Sequence, residues 1–154
     1  MRYTRGLRAL LLAATAACAG TASPPPALET AFAPWLNIRP DSMTRRPSGV
    51  WVRDLEVGSG IPITAGDQIE VRYSVYLSDG TEVDGTGGDQ PSRLFRYGRG
   101  QLIAGWDDGM QGMRVGGRRT LVIPPAQGYG SRQRGNIPAH STLIVTVQVL
   151  DVIK

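Results

Sequence analysis

The chain holds one cysteine, Cys18, one histidine, His140, and only two phenylalanines. A lone cysteine closes no disulfide within the chain, and no cysteine or histidine cluster exists to hold zinc. A Cys–His catalytic pair would have to recruit Cys18, which stands in an N-terminal leader. The apolar run from Leu10 to Ala17 falls well short of the roughly 20 residues a helix needs to cross a bilayer. A strong excess of one charge is lacking as well. Of the 17 Lys and Arg, three (Arg2, Arg5 and Arg8) fall in the leader, which leaves 14 against 13 Asp and Glu. The basic balance is therefore partly a property of the leader, and nucleic acid is not an expected partner.

Glycine (20) and proline (11) are abundant, which favours turns and short strands over long helices. Hydrophobic residues make up 41% of the 154, enough for the core of one domain. Residues 1–22 have the order of a secretory signal peptide: arginines, an apolar run, then small residues. Two readings of Cys18 stay open. Preceded by Thr15, Ala16 and Ala17, it is placed like the lipidated cysteine of bacterial lipoproteins, although an aliphatic residue usually stands where Thr15 does. Alternatively, ordinary cleavage after Ala19 or Ala22 discards it. The expected location is the periplasm or a lipid anchor at the outer membrane, with secretion as the second choice.

Residues 23–48 are rich in proline, which fixes φ and removes donors, so a continuous helix is not expected there. The stretch reads as a semi-extended tether on which Phe32, Trp35, Leu36 and Ile38 are able to dock; a plain spacer fits equally well. From Gly49 to Lys154 the pattern is that of a folded domain. Val50 to Val57 is a strand candidate. Ile69, Val71, Tyr73, Val75 and Leu77 occupy every second position, the mark of a half-buried strand. Ser78-Asp79-Gly80-Thr81 is a turn. Leu94 to Tyr97, Arg118 to Pro124 and Leu143 to Leu150 complete five strands. Gln101 to Gly112 is the one helix candidate, with Leu102, Trp106, Met110 and Met113 on one face. Gly105, Gly109 and Gly112 weaken it, each by about 1 kcal/mol against Ala. The expectation is an α+β fold, a five-stranded antiparallel sheet wrapped around one short helix.

An ordered set of short motifs then narrows the reading. It runs through Val71-Arg72-Tyr73-Ser74, Leu77-Ser78-Asp79-Gly80-Thr81-Glu82-Val83-Asp84 and Gln101-Leu102-Ile103-Ala104-Gly105-Trp106-Asp107-Asp108-Gly109. It continues through Met113 to Arg119, Ile123-Pro124-Pro125, Gly128-Tyr129-Gly130 and Ile137 to Leu143. Each is weak alone, but the series at these spacings resembles the FKBP family of peptidyl-prolyl cis-trans isomerases, from about Gly49 to the C-terminus. The resemblance implies the same sheet-around-helix fold, isomerisation of X–Pro bonds, and no metal or organic cofactor.

It also implies a site. Asp84, Trp106 and Tyr129 match the family's catalytic positions: a carboxylate facing the pocket, an indole floor, and a rim hydroxyl that donates to a bound carbonyl. Tyr73, Val83, Phe95, Leu102, Ile103, Ile137 and Val145 match substrate-binding positions, the Ile103 N–H being a second donor. Read without the resemblance, Trp106 and Tyr73 are core residues by their periodicity, and Asp84 beside Gly85 is a turn residue. Only Tyr129, an aromatic between glycines on a loop, suggests contact with something else. Three positions depart from the family, which carries aromatics where Val83, Arg93 and Val145 stand. The arginine that often partners the carboxylate has no equivalent in Gly87-Gly88-Asp89-Gln90; Arg132 or Arg134, on another loop, is the substitute to consider. The expected partners are proline-containing polypeptides and rapamycin-type macrolides, together with a membrane if Cys18 is lipidated. An FKBP-like binding module or chaperone with weak or no catalysis is the alternative.

Overall fold

The computed structural model describes residues 31–87 and 91–154. The leader read over residues 1–22, with Cys18, lies outside the described residues. So do the first part of the proline-rich stretch and Gly88, Asp89 and Gln90.

Seven strands occur among the described residues: β1 Thr44–Arg45, β2 Trp51–Glu56, β3 Gln68–Leu77, β4 Glu82–Gly85, β5 Arg93–Arg96, β6 Arg118–Ile123 and β7 Leu143–Ile153. One α-helix, α1, spans Ala104–Gly109. The strands form a single antiparallel sheet in the order β1-β2-β6-β7-β3-β4, with β5 also paired to β3. The α+β expectation holds, with two strands more than the five read from the sequence. The additions are β1, only two residues long, and β4, whose Asp84-Gly85 looks like a turn. Neither is long enough to show alternation.

β3 and β7 pair from Gln68↔Ile153 to Leu77↔Leu143 and form the spine of the sheet. Their alternation sends Ile69, Val71, Tyr73 and Val75, with Leu143, Val145, Val147 and Val149, into one core. α1 lies against this face. It is shorter than the Gln101 to Gly112 stretch read from periodicity. Ile103 caps it without a side-chain hydrogen bond, and Gly112, at φ +81, turns the chain away. Two of its glycines serve packing. A Cβ on Gly105 would collide with the fully buried Ile123, and one on Gly109 would come within 2.8 Å of Leu121. Four helical residues advance about 6 Å and two strand residues about 6.6 Å, so Gly105 and Gly109 seat on Ile123 and Leu121 of β6 nearly in step. The helix-propensity cost expected from these glycines is offset by how closely they let the helix approach the sheet.

The opposite face is covered too. Trp51, Val122, Ile144 and Tyr76 stand in one row across β2, β6, β7 and β3, and Val122 and Ile144 are fully buried. The proline-rich segment crosses here. Ala33 N–H donates to the Ser78 carbonyl at 2.8 Å, and Trp35 meets the Tyr76 ring edge-on at 5.0 Å. Two 3-10 turns, Pro34–Leu36 and Pro40–Ser42, then lead to β1 on the far edge of the sheet. Beyond β1, Arg46 and Ser48 bond the Asp108 carboxylate at 2.8 and 2.6 Å. In its described part, then, the stretch before Gly49 packs as part of the domain.

Arg119 joins helix to sheet. Its guanidinium donates twice to Asp54, at 2.6 and 3.1 Å, and to the Gly109 and Gln111 carbonyls, at 2.8 and 3.0 Å. The end of a helix leaves carbonyls without partners, and this side chain supplies donors for them.

Candidate functional site

A cleft of about 410 Å³ opens between the inner face of the sheet and the start of the helix. β3 contributes Tyr73 and Val75, β4 Asp84, β5 Arg93 and Phe95, and β7 Leu143 and Val145. Gly100 to Ile103 lead into α1, which supplies Trp106, and the loop beyond Pro125–Gln127 brings Tyr129, Arg134 and Ile137.

Nine of the ten pocket residues read from the sequence thus converge on this cleft. Val83 does not line it. It stands where the β3–β4 register shifts, without a partner on β3, and packs half-buried against the core. Val75, Leu143, Gly100 and Gln101 also line the cleft although the sequence did not mark them as site residues. Val75 and Leu143 occupy ordinary inward strand positions, indistinguishable in pattern from core.

The floor is aromatic. Trp106 is 7% exposed, and Tyr73 meets it edge-on with ring centroids 5.0 Å apart. Phe95 leans on both rings, at 5.9 Å from Tyr73 and 6.2 Å from Trp106. Edge-to-face contacts of this kind stiffen the floor. The Trp106 Nε1–H donates to Met110 Sδ at 3.0 Å, so the indole offers the cleft an apolar face and no free donor. Trp106 is therefore core and site at once.

Asp84 is held in place. The Tyr73 hydroxyl donates to its Oδ2 at 3.0 Å and the Gly85 N–H to its Oδ1 at 2.8 Å. Burial, and then the bond to this carboxylate, push the Tyr73 phenol up to about 12 from 10.0. The folded protein thus holds the phenol proton more tightly than the unfolded chain. The resulting stability is complete below about pH 10 and is lost as pH rises toward 12. Ultraviolet difference titration should show a tyrosine ionising near pH 12 in the folded protein. Asp84→Asn should lower that step only partway, since burial, the larger cause, remains; an unchanged step would mean that burial alone sets it.

Two donors in the cleft remain uncommitted. The Tyr129 hydroxyl and the Ile103 N–H find no acceptor among the described residues. Tyr129 rides on a pinned loop: the Pro125 carbonyl accepts from Gly128 N–H at 3.0 Å and from Gly130 N–H at 2.9 Å. Arg134 lies over its ring, 5.3 Å from the centroid. An apolar aromatic floor, a fixed carboxylate and two free donors suit a neutral, ring-bearing amide with carbonyls on either side.

A family model described as FKBP-type peptidyl-prolyl cis-trans isomerase matches residues 60–150, more than half the chain. The FK506-binding protein of Neisseria meningitidis serogroup B is 40% identical over 105 residues, covering 68% of this chain and 96% of that protein. FK506-binding protein 4 of Mycosarcoma maydis is 38% identical over 109 residues, 71% of this chain and 29% of that one. The chain spans less than a third of such fungal relatives. Among solved structures, FkpA from Escherichia coli is similar at a TM-score of 0.68 and 32% identity, covering 72% of this chain and 51% of that one. AtFKBP13 matches at the same TM-score and identity over 98% of its own length. The chain belongs to the FKBP-type peptidyl-prolyl cis-trans isomerase family.

Proposed function

We propose that this chain accelerates cis–trans isomerisation of X–Pro bonds in exported polypeptides by stabilising a twisted amide without a covalent step. The uncatalysed rotation takes about tens to hundreds of seconds because a barrier of roughly 18–20 kcal/mol must be crossed. The barrier is amide resonance, and at its top the C–N bond is single and the carbonyl is rotated out of conjugation. No nucleophile is required. A catalyst must hold the twisted form better than either planar form.

The observation that carries the reading is a rigid aromatic floor beside two uncommitted donors. Trp106, with Tyr73, Phe95, Leu102, Ile137 and Val145, encloses the proline ring and excludes water. Tyr129 Oη and Ile103 N–H then donate to substrate carbonyls as the amide turns. The Asp84 carboxylate, fixed by Tyr73, presents a constant field to the rotating carbonyl carbon. Rapamycin-type macrolides, which resemble the twisted amide, are expected to compete for the same cleft.

Export rests on the leader read over residues 1–22, and anchoring rests on Cys18. Palmitate labelling of expressing cells separates the two readings of that cysteine: incorporation supports a lipid anchor, and its absence leaves ordinary cleavage. Arg93 and Val145 favour the second reading, a binding module with weak catalysis, since each lines the cleft without contributing a ring to it. A buried aromatic contributes about 1.5–3 kcal/mol, so this cleft grips proline less firmly than a fully aromatic one.

Tyr129→Phe tests the rim donor. Loss of one neutral hydrogen bond should lower kcat/KM on an X–Pro peptide by about three- to tenfold while the thermal midpoint hardly moves. An unchanged rate in a folded variant would remove Tyr129 from the catalytic machinery.

A further inference from the structure

We infer that the cleft selects clients with an acidic residue immediately before the proline. The inference rests on the isomerase reading above. Two guanidinium groups line the cleft, Arg93 from β5 and Arg134 from the loop that carries Tyr129. Both arginines are exposed, and neither side chain has a carboxylate partner or a hydrogen bond among the described residues. Asp84, the one carboxylate among the lining residues, is already engaged by the Tyr73 hydroxyl and the Gly85 N–H. The lining therefore carries two cations against one anion.

Position points to the residue before proline. Arg134 lies over the Tyr129 ring, 5.3 Å from its centroid. If the Tyr129 hydroxyl holds the carbonyl of the X–Pro amide, that carbonyl belongs to X, and the side chain of X departs one backbone atom away. A carboxylate there falls within reach of Arg134. An adjoining hollow of about 400 Å³ shares Tyr129 and Arg134 with the cleft and adds Arg132 and Gln133, with no acidic residue in its lining. A chain leaving the cleft on this side meets two guanidinium groups and no carboxylate.

Exposed guanidinium–carboxylate pairs contribute modestly, so the expected preference is about three- to tenfold. The test measures kcat/KM for Glu–Pro, Ala–Pro and Lys–Pro peptides with the purified protein. Glu–Pro should lead Ala–Pro by that factor at low salt, and Lys–Pro should trail. The ratio should fall toward one at about 1 M salt, where charges are screened beyond about 3 Å. An Arg93→Gln, Arg134→Gln double variant should lose the ratio, whatever happens to its Ala–Pro rate. Equal rates for all three peptides, or a preference that survives in the double variant, overturn the inference and leave the isomerase reading standing. Acceleration of none of the three defeats both.

Discussion

Replacing Arg119 by alanine is expected to cost the fold about 3 kcal/mol, a large loss for a charged residue. The side chain is nearly buried, and it donates to two carbonyls at the end of α1 as well as to Asp54. The buried Gly109 carbonyl left without a donor costs about 1–3 kcal/mol, and lost packing of the side chain adds to it, whereas Gln111 is exposed and its carbonyl is open to water. The ion pair itself counts for less, because the Asp54 side chain is 42% exposed and solvent screens it. The two contributions separate by mutation. Asp54→Asn should cost under about 1 kcal/mol, whereas Arg119→Lys, which lacks the planar fork, should recover only part of the loss. Urea denaturation of the three variants decides it. If Asp54→Asn costs as much as Arg119→Ala, the ion pair and not the helix end is what Arg119 secures.

Trp106→Ala should cost more, because it strikes both fold and site. Large-to-small changes of buried aromatics cost about 3–5 kcal/mol. Here the change also removes the edge-to-face contact with Tyr73 and the bond to Met110 Sδ. Isomerase activity per folded molecule should fall more than about tenfold, since the proline ring loses its floor. Trp106→Phe is the control that stays folded. It keeps an apolar face, loses the N–H, and should retain a measurable share of the activity at a cost of about 1–2 kcal/mol. An alanine variant that is folded and fully active would show that Trp106 is core alone.

The strands that bury a whole face were legible in the sequence, because a period of two survives wherever one side is apolar and the other polar. β3 shows this through Ile69, Val71, Tyr73 and Val75, and β7 through Leu143, Val145, Val147 and Val149. β4 was not legible. Three of its four residues pair with β3, the register shifting at Val83, and Asp84-Gly85 carries turn chemistry. Periodicity also stretched the helix, since Met113 in the buried cluster and Leu102 packed against it both lie outside α1. Patterning cannot separate a helical residue from a turn residue that points the same way. The glycines of α1 read as a weakness, and only the position of Ile123 and Leu121 beneath them shows what they permit. The residues that line the cleft were picked out through the ordered motifs, not through composition. Val83 shows the limit of that approach: its place in the motif is right, but an isopropyl group on that strand does not reach the cleft. The docking of Trp35 on Tyr76 depends on a contact between segments 41 residues apart, which no local pattern records.

That docking bears on how the protein should be tested. A fragment beginning at Gly49 would lose β1, the Trp35 contact and the bonds from Arg46 and Ser48 to Asp108. The purified chain with this segment in place is the proper subject. The most direct measurement is the relaxation of a short Ala–Pro peptide from a cis-enriched state, followed at increasing concentrations of the folded protein. The rate should rise in proportion to protein and return to the uncatalysed value when a rapamycin-type macrolide is added. A rate that stays at the uncatalysed value with micromolar folded protein would contradict catalysis and leave a binding module in its place.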